Sequence, residues 1–160
     1  MANNYLSFSE EIADLTEEEK KWVEAIPDRG DFEDNDAYED EAAWQKAYAE
    51  VLEKHGIDAY DCITEGNIDQ FPHFTSVIQE CGWWISTRDD EWGYPGHVAC
   101  CVQGFIKKFR PDYVFKLTWC EYCDKMRIGE FGGGWLLVDA ERVEYGNVWQ
   151  AVEDEAKAQS

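Results

Sequence analysis

The stretch VACCVQGFIKKFRPDYVFKLTWC, residues 98–120, changes its hydrophobic period halfway along, and that change decides the fold class. In its first half Val98, Cys101, Val102, Phe105, Ile106 and Phe109 recur at the spacing that lines one face of an α-helix. Pro111 cannot continue that helix, because it lacks an amide proton and its ring clashes with the preceding turn. Beyond it Tyr113, Phe115, Leu117 and Trp119 alternate with Val114, Lys116, Thr118 and Cys120, the period of two that sends one set of side chains to one face of a strand. A helix with one apolar stripe and a strand that returns beside it bury each other's apolar sides, which is a mixed α and β layer.

Working outward, residues 74–81 and 83–88 are rich in aromatic and branched side chains and predict two strands of a hairpin joined near Gly82. Residues 135–138 predict a fourth strand, apolar on both faces, so the sheet needs a cover on each side. Toward the N-terminus, Thr16 and Glu19 have the spacing of a capping box that opens a short helix with Trp22, Val23 and Ile26 inward, stopped by Pro27. A second helix follows an acidic loop, with Trp44, Tyr48, Val51 and Leu52 on its buried face and Gly56 as its C-cap. Residues 144–157 predict a last helix with Val148, Trp149 and Val152 turned inward. The expected fold is α+β: a mainly antiparallel four-stranded sheet with a β-β-α-β-β core, two acidic N-terminal helices and a C-terminal helix. One domain spans 1–160, with 1–66 its acidic helical part and 67–160 its sheet-containing core.

Charge is unevenly spread along this frame. Residues 1–66 carry 20 Asp and Glu against 5 Lys and Arg, and residues 67–160 carry 15 against 9. Such a block repels nucleic acid, anionic membranes and phosphate ligands, and steers toward a basic groove. Aromatic residues make up 15% of the chain, far more than acidic disordered segments contain, so this chain folds. No apolar run approaches the roughly 18 residues of a membrane span, and no secretory leader opens the sequence. The expectation is a soluble cytoplasmic protein whose six cysteines are thiols.

Residues 28–41 hold eight acids and one base, and Asp31, Glu33, Asp34, Asp36, Glu39, Asp40 and Glu41 are the first candidate binding residues. A calcium loop starting at Asp31 needs glycine where Asp36 stands and glutamate where Ala42 stands, so that reading fails. A second candidate patch is Asp89, Asp90, Glu91 and Trp92, which together with Trp83 and Trp84 suits arginine or lysine side chains. Trp83 and Trp84 are adjacent on a strand and face opposite ways, leaving one of them for a partner. For metal, the candidates are His97, Cys101, Cys120 and Cys123, in an order that a structural zinc or a deaminase-like site would use. Ala99 stands where such an enzyme places its proton-carrying glutamate, and Cys100 points away from the stripe that holds Cys101. Cys120 and Cys123 also have the spacing of a redox pair, but the chain after them is too short for a thioredoxin-like fold. Gly132, Gly133 and Gly134 predict a turn or bulge between strands. There is no complete catalytic constellation, no cofactor is expected, and His55 and His73 have the character of packing or surface residues.

The segments Trp84-Ile85-Ser86, Asp89-Asp90-Glu91 with Gly93, the helix end Phe105-Ile106-Lys107-Lys108-Phe109-Arg110-Pro111, Leu117-Thr118-Trp119, and Arg127 with Glu130-Phe131-Gly132-Gly133-Gly134 resemble a family of small uncharacterised proteins carried by bacteria, phages and plasmids. The resemblance covers about residues 84–138 and implies a mobile-element setting without an activity or functional residues.

Together these features point to an acidic protein-binding inhibitor of the anti-CRISPR or anti-restriction type, a nucleic-acid mimic occupying a basic groove. Duplex DNA carries one charge per about 1.7 Å of axis, so about 15 excess charges correspond to roughly 25 Å of duplex. The expected partner is a basic, nucleic-acid-binding protein, with no direct nucleic acid and no membrane. The sequence is also compatible with two alternatives: a small zinc-binding domain or metalloenzyme using His97, Cys120 and Cys123, and an acidic adaptor or immunity-like protein.

Overall fold

A computed structural model describes residues 4–59, 71–88 and 93–159. The period switch is borne out: the stripe forms a helix, α4 (Pro95–Phe109), and the alternating run forms a strand, β5 (Phe115–Cys123). Val98, Cys101, Val102, Phe105 and Ile106 are all buried, as are Phe115 and Leu117. Ahead of them lie β1 (Asn4–Ser7), β2 (Ser9–Ile12), α1 (Glu17–Glu24), the single turn α2 (Gly30–Glu33), α3 (Glu41–His55), β3 (Thr75–Gln79) and β4 (Gly82–Ser86). After them come β6 (Gly132–Val138), β7 (Val143–Asn147) and α5 (Val148–Ala158).

The fold is α+β, with a four-stranded antiparallel sheet and helices near both ends of the chain. That sheet runs β1-β5-β6-β7, so its members differ from the expected four. The hairpin β3-β4 belongs instead to a second antiparallel sheet, β2-β4-β3. The N-terminal ribbon joins the two, for β1 pairs with β5, the chain bends at buried Phe8, and β2 pairs with β4. The Thr87 amide donates to the Phe8 carbonyl oxygen at 3.0 Å and holds the bend. One cluster of buried apolar residues draws on α1, α3, α4 and both sheets. Within it, the rings of Trp83 from β4 and Phe105 from α4 lie 5.5 Å apart.

Three local expectations are corrected. Residues 132–134 are not a turn but the first half of β6, with Gly133 opposite Cys120 and Gly134 opposite Trp119. The glycines are there for the indoles: a Cβ at Gly134 would fall on the Trp119 ring, and one at Gly146 on the Trp135 ring. The expected helix over 144–157 begins only at Val148, because residues 143–147 complete the sheet as β7. Its apolar face is not inward, since Val148, Trp149 and Val152 are all more than half exposed.

The capping of α1 is half as expected. Thr16 Oγ1 accepts from the Glu19 amide at 3.1 Å, but the Glu19 carboxylate turns into the protein to meet Arg110 at 2.8 Å. No helix among the described residues is long and apolar enough to cross a membrane.

Candidate functional site

The acidic segment is built on two aromatic anchors. Phe32 and Tyr38 are half-buried and stack at 6.1 Å, and Phe32 also packs on Tyr48 of α3 at 5.2 Å. Between these anchors short polar side chains turn the backbone by capturing nearby amides. Asp28 Oδ1 accepts from the Gly30 amide, Asn35 Oδ1 from the Ala37 amide, and Asp40 Oδ1 caps α3 through the Ala43 amide, each at 2.9 Å. Held this way, Asp31, Glu33, Asp34, Asp36, Glu39, Asp40 and Glu41 are all exposed. Glu33, Asp34, Asp36, Asp40 and Glu41 surround a shallow depression of about 490 Å³, with Tyr38 and Trp44 beneath. Of the seven, only Glu33 has an ion pair among the described residues, with Arg29 at 3.0 Å. Such a surface attracts cations, and ionic strength weakens the attraction because the Debye length is only about 8 Å in physiological salt.

The patch of Asp89, Asp90, Glu91 and Trp92 lies outside the described residues. Of the adjacent tryptophans, Trp83 is fully buried, while Trp84 is half-buried and its Nε1 donates to Ser9 Oγ at 2.8 Å.

The metal candidates do not come together. Cys120 and Cys123 lie inside β5, not after it, and a separation of three along a strand sends them to opposite faces: Cys120 is exposed and Cys123 buried. That geometry also removes the redox-pair reading. Cys101 is fully buried on α4. His97 is buried too, its ring 4.8 Å from Phe71 and 5.0 Å from Tyr94, and its Nδ1 accepts from the His73 amide at 3.0 Å. In the neutral ring the proton therefore sits on Nε2. Among the described residues no three His, Cys, Asp or Glu side chains form a metal-holding group.

Burial, and after it the neighbouring His73, push the His97 pKa down to about 4. The unfolded chain, with a histidine near 6.5, therefore binds this proton first as the pH falls. The stability contributed by neutral His97 is complete above about pH 6.5 and is lost progressively down to about pH 4. Between pH 7 and pH 5 the loss attributable to it is about 2 kcal/mol. His97→Gln, whose amide oxygen still accepts from the His73 amide, should flatten the dependence of the urea midpoint on pH in that window. An equal slope in both proteins would show that His97 does not titrate as described.

Two features were not visible in the sequence. A cavity of about 670 Å³ brings Arg29, His73, Ser76 and Arg88 together with Glu24 and Asp28, residues that no spacing rule connects. On the opposite side of the chain's order, α5 packs on β6 and β7 while leaving its aromatic and branched residues outside. The amphipathic pattern of 144–157 signalled the helix, but the same pattern serves equally for a face turned to the core and for one left to solvent.

Compared with family models, curated proteins and solved structures, the chain matches none.

Proposed function

We propose that the protein is an acidic inhibitor that docks on the basic groove of a nucleic-acid-binding protein, its carboxylates standing in for phosphates. The observation that supports this reading is the ordered, outward display of seven carboxylates over residues 31–41, only one of them neutralised by a base among the described residues. A surface kept acidic only for solubility has no need of Phe32 and Tyr38 as anchors or of three side-chain-to-amide turns to fix its shape. Half-buried aromatics beside the acids supply the salt-insensitive share of the affinity.

Neutralising four of these residues together, as Asp34→Asn, Asp36→Asn, Glu39→Gln and Asp40→Asn, tests the proposal. Asparagine caps helices as well as aspartate does, so the last change keeps the α3 cap and the urea midpoint should not fall. At roughly 0.5 kcal/mol per rim charge, the four changes weaken partner binding by about 2 kcal/mol, roughly thirtyfold at low salt, and flatten its salt dependence. Unchanged binding at low salt would overturn the reading. Duplex competition then separates the inhibitor from an acidic adaptor: a partner held through its nucleic-acid groove is released by DNA or RNA, and one held elsewhere is not.

A further inference from the structure

A second surface carries a different chemistry. Where β1 and the end of β5 meet the start of α5, Tyr5, Tyr122, Phe131 and Trp149 line one cavity of about 270 Å³ together with Glu121 and Glu130. Tyr5 and Tyr122, in register across the strands with centroids 5.2 Å apart, border it too, but Tyr122 follows Glu121 on β5, so this stacked pair lies on the other face of the sheet. Trp149 is brought in by Gly132, where a Cβ would stand 2.7 Å from its Nε1 and 3.5 Å from Glu121 Oε2. The indole and this carboxylate therefore converge over one glycine.

Glu130 supplies the second charge. Its Oε1 lies 3.7 Å from Arg127, while its Oε2 is buried with no hydrogen-bond partner among the described residues. The carboxyl group stands beside the Cys123 thiol, whose pKa is raised chiefly by burial and then by Glu130. A thiol is a weak donor and does not satisfy a buried carboxylate oxygen. Such an oxygen is costly unless a cation or a strong donor meets it.

We infer that this cavity binds a delocalised organic cation, and that its ligand is the guanidinium of an arginine presented by a protein partner. The Trp149 and Phe131 rings attract cations through their quadrupoles, and the Glu121 and Glu130 carboxylates add full charges. The volume falls just below the roughly 300 Å³ at which drug-sized ligands begin to fit, so it suits the head of one side chain. Guanidinium is preferred over ammonium because it is planar, weakly hydrated, stacks on rings and meets a carboxylate with two donors at once. The N-terminus of α5 opposes a cation with about half a positive charge, less than either carboxylate supplies, and Asn147 Oδ1 already takes the Gln150 amide there. The source of the arginine rests on the proposed basic partner; the cation site itself does not.

The test uses the whole protein and small probes, read from the Trp149 indole N–H signal in NMR, assigned by its loss in Trp149→Phe. N-acetylarginine amide should shift that signal saturably in the millimolar range, the lysine counterpart at least fivefold more weakly, and norleucine amide not at all. Glu130→Gln should weaken arginine binding about tenfold, while the fourfold acid variant of residues 34–40 leaves it unchanged. Should Glu130→Gln disturb the fold, exposed Glu121→Gln carries the same expectation. Equal shifts with norleucine amide, or unsaturable shifts with every cation, would overturn the site. Tighter binding of tetramethylammonium than of the arginine probe would overturn the assignment to a protein side chain in favour of a free quaternary ammonium. No partner is present in these titrations, so their failure leaves the acidic-surface reading standing, and the failure of that reading leaves them standing.

Discussion

Truncating Trp83 to alanine lowers the free energy of unfolding by about 3–5 kcal/mol, the range for removing a fully buried large aromatic. The residue is fully buried on β4, the central strand of the three-stranded sheet, in register with Ile12 on one side and Ile78 on the other. Its ring meets Phe105 of α4, so the sheet and the principal helix lose their contact together. Its Nε1 also donates to Ser76 Oγ at 2.8 Å. Trp83→Phe keeps most of the volume and loses this bond, so it should cost less than half as much. Urea denaturation of the two variants measures both numbers. A loss below about 1 kcal/mol for the alanine variant would mean that the two layers are held elsewhere.

Replacing Arg110 by alanine costs about 3 kcal/mol, the lower end of the range for stranding one member of a buried ion pair, because the arginine itself is about a quarter exposed. Its guanidinium faces the Glu19 carboxylate at 2.8 Å and donates to the carbonyl oxygens of Ala13 and Asp14 at 3.0 Å. It also lies 5.6 Å from the Phe105 ring centroid and 5.7 Å from that of Tyr113. One side chain at the end of α4 thus holds both α1 and the turn before it, where Asp14 stands at φ 58, in the left-handed region. Glu19→Leu combined with Arg110→Leu should recover most of the loss, because neither variant residue leaves a charge behind. A double-mutant cycle gives the coupling directly, and additive losses would show that the pair does not act as a unit.

What the sequence made legible follows from how local each signal is. The α4 stripe and the β5 alternation are strong because most of their inward apolar positions, Val98, Cys101, Val102, Phe105, Ile106, Phe115 and Leu117, are also buried ones. The ribbon of β1 and β2 was missed because Ser9, Glu10 and Glu11 of β2 are exposed, and its place depends on backbone pairing with β4, which leaves no mark in side-chain pattern. Gly132 to Gly134 misled for a related reason. Glycine in a strand looks like a turn until the indole that occupies its place is known, and Trp119 is paired to Gly134 only through the register of β5 and β6. Of the candidate site, the acids of 31–41 were readable as charge, and the anchors that order them were not, since Phe32 and Tyr38 stand alone in polar surroundings. The proposed cation cavity draws on β1, β5, the loop before β6 and α5, segments whose meeting is a property of topology alone.

The bend at Phe8 bears on assembly. Ser9 reaches Trp84 across 75 residues, and Ser7 reaches Cys120 across 113. Closing such long loops costs entropy before any contact rewards it, so the pairings of residues 4–12 are contacts of the kind that slow folding. Detached from this ribbon, β4 and β5 would each present a bare flank to neighbouring chains, so one short segment acts as a clasp that seals an edge of both sheets at once.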